Sequence, residues 1–421
     1  MIKVSKIFRI LIYFSTLFML GYIKAFISVP GNEEYYRLLL ALVGILLAFW
    51  VYKKCSADST LRACCKNLSK YMKIYLPIIL FAMIYSLLVY GYSIKGLLIA
   101  TIPYLLVFWS YPIVYVLYRD GTSEKILRTV FLLVLGILAI KFIGWYMYGF
   151  RGVVMFPSLL FQYEGWTRSE FQRIDTGYLF SIAFAYALYG IYKKKNKIPY
   201  MIATVSMALF MVFITQYRYL QITMIIEFLL VYYYASETSK AKFIRLVLLA
   251  GLIVVFILSG GLDSVLNSFS VQGSYAGSTI ARIDTVIHYW GLLKERNGLF
   301  GLGLLSGYNA TTANMMARWG NERWWLSDIG ILGGFFTFGI LSIPLYIGLF
   351  RLAFNTCKKA LKKGNNAMAV IAVGLTAYMI ISCLLMNVFD GQRAYDVPFY
   401  LALYSYWNYK LDYDEQKISL I

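Results

Sequence analysis

PYMIATVSMALFMVFITQYRYLQITMIIEFLLVYYYA, residues 199–235, is two apolar runs split by Thr215-Gln216-Tyr217-Arg218. Each run approaches the roughly 20 residues that a helix needs to cross the hydrocarbon core of a bilayer. The residues between them leave room for a tight hairpin and nothing more. The chain therefore enters and leaves a membrane here, with Arg218 at the mouth of the hairpin.

Outward from this hairpin, apolar runs recur along the whole chain. They fall near 10–29, 35–52, 74–91, 97–118, 129–149, 177–192, 199–216, 218–235, 246–260, 328–350, 367–389 and 394–409. The 421 residues are 60% hydrophobic and only 14% charged, against about a quarter charged in soluble proteins. This excludes a cytosolic enzyme, a disordered tail, a fibrous repeat and a train of soluble domains. The expected fold is an all-α polytopic membrane protein, a single integral membrane domain of about 12 transmembrane helices.

The formal net charge is +20. The alternate gaps hold about two-thirds of the 40 basic residues and about a third of the 20 acidic ones. Residues 53–73 carry Lys53, Lys54, Arg62, Lys66, Lys70 and Lys73, and residues 193–197 carry four lysines. The positive-inside rule then places both termini in the cytoplasm. The basic balance reflects topology and anionic headgroups; nucleic acid is not implied. The run from Ile10 to Val29 is too long for a secretory signal and reads as a retained first span. No cysteine falls in an outer gap, so no external disulfide is expected.

No cytoplasmic gap exceeds about twenty residues, too few for a catalytic domain. Two outer gaps are long, 150–176 and 261–327, so any chemistry belongs to the outer face. Within the second, IARIDTVIHYWGLLKER (280–296) sets apolar Ile283, Val286, Ile287, Trp290 and Leu293 at helical spacing, with Arg282, Thr285, Tyr289 and Arg296 on a polar stripe. Either a helix at the membrane surface or one packed on the bundle with a solvated face fits this pattern. GLFGLGLLSGYN (298–309) is a glycine-rich turn that lacks the Gly-Lys-Ser/Thr ending of a nucleotide loop. With eight prolines in the chain, few spans are expected to be broken.

Arg218 stands where a helix start already favours an anion. It either snorkels to headgroups or grips a phosphate, which arginine does with two parallel hydrogen bonds. Arg282 is the second cation for the same anion, or else pairs with Asp284 or Glu295. Arg168, Arg173, Arg318, Arg323 and Arg393 add to an outer face with only two lysines, Lys95 and Lys294. His288, the single histidine, lies four residues after Asp284, and a helical Asp–His pair is expected. One histidine with no nearby cysteine makes no zinc site; no metal and no cofactor are implied. Ser327 or Asp328 caps the helix that re-enters the membrane, or Asp328 is a desolvated base, with Glu322 as rival. Trp319, Trp324 and Trp325 form an interfacial belt or a platform for sugar rings. Glu227, mid-span, needs a buried partner, and Lys141 is the available one.

Residues 205–350 resemble the shared region of the O-antigen polymerase and O-antigen ligase family. The likeness runs from Thr215-Gln216-Tyr217-Arg218 through Arg282 and the Lys294-Glu295-Arg296 turn into Gly301-Leu302-Gly303. It ends in Leu326-Ser327-Asp328-Ile329-Gly330-Ile331-Leu332-Gly333, entering a span. The resemblance implies transfer of glycans from a polyprenyl diphosphate carrier to a hydroxyl, outside the bacterial cell membrane and without metal or nucleotide. Arg218 and Arg282 would then hold the diphosphate and Asp328 would act as base. Arg173, Tyr217 and Arg323 are further residues expected at the substrate. Ligases of the family carry a histidine late in the large loop, and here His288 comes too early. That departure favours a polymerase of capsular, exo- or O-antigen repeat units. Its partners would be polyprenyl-diphosphate-linked oligosaccharides, membrane lipids, a flippase and a chain-length regulator. A lipid-linked glycan flippase, a ligase and a purely structural membrane partner are the other readings.

Overall fold

The computed structural model describes residues 4–26, 33–160, 167–168, 171–236, 238–270, 272, 276–296, 298–318, 323–364, 366–391 and 393–418. They are overwhelmingly helical. The chain begins with α1 (Val4–Leu20) and the short α2 (Tyr22–Phe26), parted by Gly21 at φ +92°. Next come α3 (Glu33–Ala57) and α4 (Ser59–Tyr90), then α5 (Ile94–Leu105) and α6 (Ser110–Asp120). α7 (Glu124–Arg151) and α8 (Pro157–Leu160) lead to a two-stranded antiparallel pair, β1 (Thr167–Arg168) and β2 (Phe171–Gln172). α9 (Phe180–Lys193) and α10 (Ile198–Leu209) follow, and α11 (Arg218–Tyr234) packs along the helix at Asn366–Leu385 rather than on α10. After α12 (Ser239–Leu258), a long connection holds α13 (Gly261–Phe269), α14 (Ala276–Glu295) and α15 (Ala310–Met316). The chain closes with α16 (Ile331–Phe338), α17 (Ser342–Lys362), α18 (Asn366–Leu385) and α19 (Asp396–Ile418).

Among the described residues, eight helices are long and apolar enough to cross a membrane. The protein is a multi-pass membrane protein. The other four expected spans coincide with α1, α9, α11 and α19, too short or too polar to qualify on those grounds. α19 sits at the centre, packed on α4, α6 and α17, and α9 is walled by α7, α10 and α18. Large apolar side chains face outward, such as Phe49 on α3 and Leu258 on α12. Water would tolerate no such surface over so many helices, whereas lipid tails cover it without cost.

Three boundaries differ from the sequence reading. Residues 53–73, expected as a loop, are helical for most of their length, because α4 is continuous from Ser59. The Asp58 carboxylate caps it by accepting from the Leu61 N–H at 2.9 Å, and no glycine or proline follows until Pro77. Arg62, Lys66, Lys70 and Lys73 thereby come to lie along one helix at three- and four-residue spacing. The first span starts earlier and ends at Gly21 rather than at residue 29, and residues 27–32 lie outside the described ones.

The third difference concerns broken helices. A 3-10 turn at Leu106–Trp109 joins α5 to α6, and a π-helical turn at Phe210–Thr215 ends α10. A further 3-10 turn at Gly339–Leu341 separates α16 from α17. The last break has a visible cause. Residues 298–303 turn past it and bond to it through backbone: Leu302 N–H donates to the Phe336 carbonyl at 2.7 Å, Gly303 to Thr337 at 3.0 Å, and Ile340 donates back to Leu299 at 3.0 Å. A Cβ on Gly339 (φ +57°) would stand 2.1 Å from the Leu299 carbonyl oxygen, and one on Gly301 would stand 2.4 Å from that of Thr337. The glycine-rich stretch is thus a backbone seam.

Glu227 has no partner of the kind expected. Lys141 is 2.9 Å from Asp175 instead. Both Glu227 carboxylate oxygens are buried on α11 without a hydrogen bond among the described residues, against Gly374 of α18.

Candidate functional site

The Thr215–Arg218 hairpin is built from an unusual backbone. The Gln216 N–H donates to the Met211 carbonyl at 2.9 Å and closes the π turn. Gln216 itself sits at φ +54°, a left-handed conformation that a non-glycine residue rarely adopts. Tyr217 is extended and its side chain makes no capping bond, so α11 starts at Arg218 with first-turn N–H groups that Tyr217 does not satisfy. The positive end of the helix dipole points there. Arg173 holds the turn from the segment after β2. Its Nε donates to the Thr215 carbonyl at 3.1 Å and its Nη2 to that of Gln216 at 3.4 Å. The guanidinium lies 5.2 Å over the Tyr217 ring.

A second cluster adjoins α11. Arg393 Nη2 donates to the Tyr219 hydroxyl at 3.1 Å, and that hydroxyl donates to Met386 Sδ. Arg282 of α14 donates from Nε to the Asp328 backbone carbonyl at 3.1 Å and from Nη1 to Ser278 Oγ at 3.0 Å. Ser327 Oγ donates to Asp328 Oδ1 at 3.2 Å. Burial pushes the Asp328 carboxyl above its ordinary value, and the Arg282 charge and the Ser327 hydroxyl pull back only part of that rise. Tyr219, the residue after Arg218, feels the charges of Arg393, Asp328 and Arg282. The fold therefore brings Arg282 to the Asp328 backbone and Arg393 to Tyr219 in the first turn of α11. Neither Ser327 nor Asp328 caps α16, whose N-cap is Gly330 with no side-chain bond.

Behind this cluster lies a cavity of about 470 Å³. It is walled by the ends of α1 and α3, by α7 and by the segments around 175–178, 325–327 and 387–391. Its charged groups are paired. Glu33 meets Lys24 and, at 2.8 Å, Arg37; Lys141 Nζ meets Asp175 Oδ1 at 2.9 Å. Asp175 is pushed up by burial but pulled lower still by Lys141, with Arg393 adding to the effect, so its carboxyl lies below the ordinary aspartate value. Ser327, Asp175 and Asn387 belong to the cavity wall, and Ser327 joins it to the cluster: its Oγ donates to Asp328, and its carbonyl accepts from the Asn387 N–H at 3.0 Å. Arg218, Arg282, Asp328, Arg173 and Arg323 do not line it. The sequence reading missed Glu33 and Arg37 and gave Lys141 to Glu227 rather than to Asp175, because each lies within or beside an apolar run, where a charge reads as a boundary or an exception.

Removing Lys141 leaves the Asp175 charge with one fewer buried partner. Lys141→Ala is expected to lower stability by about 3 kcal/mol at neutral pH. Because the folded value of Asp175 is depressed, its contribution is present above the ordinary carboxylate range and is lost as pH falls through the lower folded value. Thermal melts of wild type and variant in detergent should therefore differ at pH 7 and converge toward pH 3. Equal midpoints at pH 7 would remove the pair from the list of stabilising contacts.

The remaining residues separate. His288 does not pair with Asp284: its Nε2 is 2.8 Å from the Met315 carbonyl and its ring stacks on Trp324. Asp284 stands 3.8 Å from Arg318, whose guanidinium covers the Trp324 ring at 4.6 Å. The α14 stripes point opposite to a helix with a solvated polar face. Thr285 and Tyr289 are buried, the Tyr289 hydroxyl donating to the Trp324 carbonyl at 2.9 Å, while Ile283, Ile287 and Trp290 are exposed. Arg323 lies apart from Asp328, on an isolated bridge to Ala317 beside Gly307. Trp325 is exposed at the cavity. Glu322 and Trp319 lie outside the described residues, as does the side chain of Arg168. Among the described residues, no group of three histidine, cysteine or acidic side chains could hold a metal ion.

No protein-family model and no curated protein matches the chain.

Proposed function

We propose that this protein polymerises polyprenyl-diphosphate-linked oligosaccharide repeat units into capsular, exo- or O-antigen polysaccharide at the outer face of the cytoplasmic membrane. The observation that carries the reading is the cationic end of α11. Its N-terminus, lacking a side-chain cap from Tyr217, begins at Arg218; Arg173 holds the turn before it, and Arg393 bonds the Tyr219 hydroxyl in its first turn. A helix start flanked by guanidinium groups suits a diphosphate. The order of these residues along the chain, quoted above, supports the same reading. The proposed topology has twelve spans with both termini inside, which puts the cluster and the 470 Å³ cavity on the outer face.

In this reading Arg218 and Arg282 neutralise the diphosphate. The acceptor sugar hydroxyl attacks the anomeric carbon of the growing chain, and the bond from that carbon to the phosphate oxygen breaks. The electron pair leaves with the diphosphate, and the hydroxyl proton passes to Asp328. Attack from the face opposite the leaving group inverts the anomeric centre. Arg173 positions the hairpin through its two carbonyl bonds, and Tyr217 and Arg323 remain substrate contacts of the proposal.

A base must be ionised to act. Since Asp328 is raised above the usual aspartate value, polymerisation should rise with pH through an inflection above ~3.9. Asp328→Asn should lower the rate on the order of 10²-fold and flatten that limb. The first test is the size profile of lipid-linked and surface glycans after gene deletion. Single repeat units at the outer face without a ladder support a polymerase. Full-length polymer left on the carrier points to a ligase, and repeat units held inside to a flippase.

A further inference from the structure

The far end of the bundle holds another cavity, of about 380 Å³, between α4, α17 and α19. Lys66 and Lys70 stand one turn apart on its α4 wall. Tyr90, about 30 Å further along the same helix by its rise per residue, donates to the Leu302 carbonyl at the arginine-rich end. α17 contributes Lys359 and Asn355, and α19 contributes Tyr409 and Asp412. The one carboxylate among its described lining residues is already taken, with Lys359 Nζ 2.7 and 2.9 Å from the two oxygens of Asp412. Lys66 and Lys70 have no acidic partner among the described residues.

Two lysines at this spacing repel one another on a helix. Helix propensity does not call for them, since Gln or Ala would serve α4 as well. A concave recess with two ammonium groups that have no acidic partner among the described residues, beside neutral amide and phenol groups, is suited to an anion with several acceptor oxygens. Its position says which. Ile74, one turn beyond Lys70, and Phe354, next to Asn355, are exposed apolar side chains on the walls that lead toward the middle of the bilayer. A phosphate in the recess would have room for acyl chains alongside.

We propose that this recess is a phosphate-binding site that holds the headgroup of an anionic phospholipid, with Lys66 and Lys70 as its cations. The proposal does not depend on the chemistry assigned to the other end of the bundle.

The test uses the full chain purified in mild detergent. Phosphatidylglycerol and phosphatidylcholine are titrated separately and bound lipid is counted by native mass spectrometry; inorganic phosphate is titrated by calorimetry. Each lysine near an anionic headgroup is worth roughly fivefold in binding. Lys66→Gln should therefore weaken phosphatidylglycerol binding about fivefold and the double variant with Lys70→Gln about thirtyfold, with phosphatidylcholine unchanged. Lys195→Gln with Lys197→Gln, which removes two exposed lysines elsewhere, should leave binding intact. Inorganic phosphate that binds with the same lysine dependence, while phosphatidylglycerol does not, would keep the phosphate site and replace the lipid by a soluble ligand. Binding of neither probe, or an equal loss in the Lys195/Lys197 control, overturns the proposal. Thermal melts of each variant confirm that the folded chain is being compared.

Discussion

Arg218→Ala is expected to abolish polymer while the protein stays folded in the membrane. The side chain opens α11 and is only half-buried, and alanine is a good residue at a first helical position. The fold should therefore lose little. The chemistry should lose much, because a guanidinium that meets charge building on a leaving diphosphate contributes about 3–4 kcal/mol, or 10²–10³-fold in rate. Arg218→Lys keeps the charge and gives up the two-pronged geometry, so it should recover only part of the activity. Ladder gels of lipid-linked and surface glycan, with membrane immunoblots for protein level, separate these outcomes. Unchanged chain lengths in Arg218→Ala would sink the diphosphate role.

Gly339→Ala should be among the most destabilising single methyl additions in the chain. The new Cβ would meet backbone on the neighbouring strand of chain, 2.1 Å from the Leu299 oxygen and 2.4 Å from the Gly301 nitrogen. Backbone cannot swing aside as a side chain can. At φ +57° and ψ −138° the residue also occupies a region nearly closed to anything but glycine. Strain and overpacking together come to about 2–6 kcal/mol. A fluorescence melt in detergent should show a large fall in midpoint or no folded fraction. Gly251→Ala, on an open stretch of α12 with nothing within 4 Å, is the control and should match wild type. A Gly339→Ala midpoint equal to that of the control would mean that the seam between 298–303 and 336–340 can open freely.

The turn at residues 215–218 and most of the apolar helices were legible because a bilayer imposes length and polarity on a local window of sequence. The start of α11 at Arg218 and the helix of residues 280–296 followed from such windows. Pairings across the bundle did not. Lys141 and Asp175 are distant in sequence and meet only when α7 packs beside the segment leading to α9. Glu227 then loses the partner that composition offered it. The α14 stripes show a different limit. Periodicity tells which residues share a helix face, but not which face turns inward, and beside lipid the apolar face can be the outer one. His288 likewise had Asp284 within helical reach, yet Trp324 and the Met315 carbonyl claimed its ring.

The outward apolar stripe of α14 makes this helix part of the apolar outer surface of the bundle. Ile283 and Ile287 are exposed and Trp290 rests on Phe335 and Phe336, while on the other side Arg282 is tied to the Asp328 carbonyl. The helix that carries Arg282 therefore also carries apolar surface of the kind that acyl chains cover.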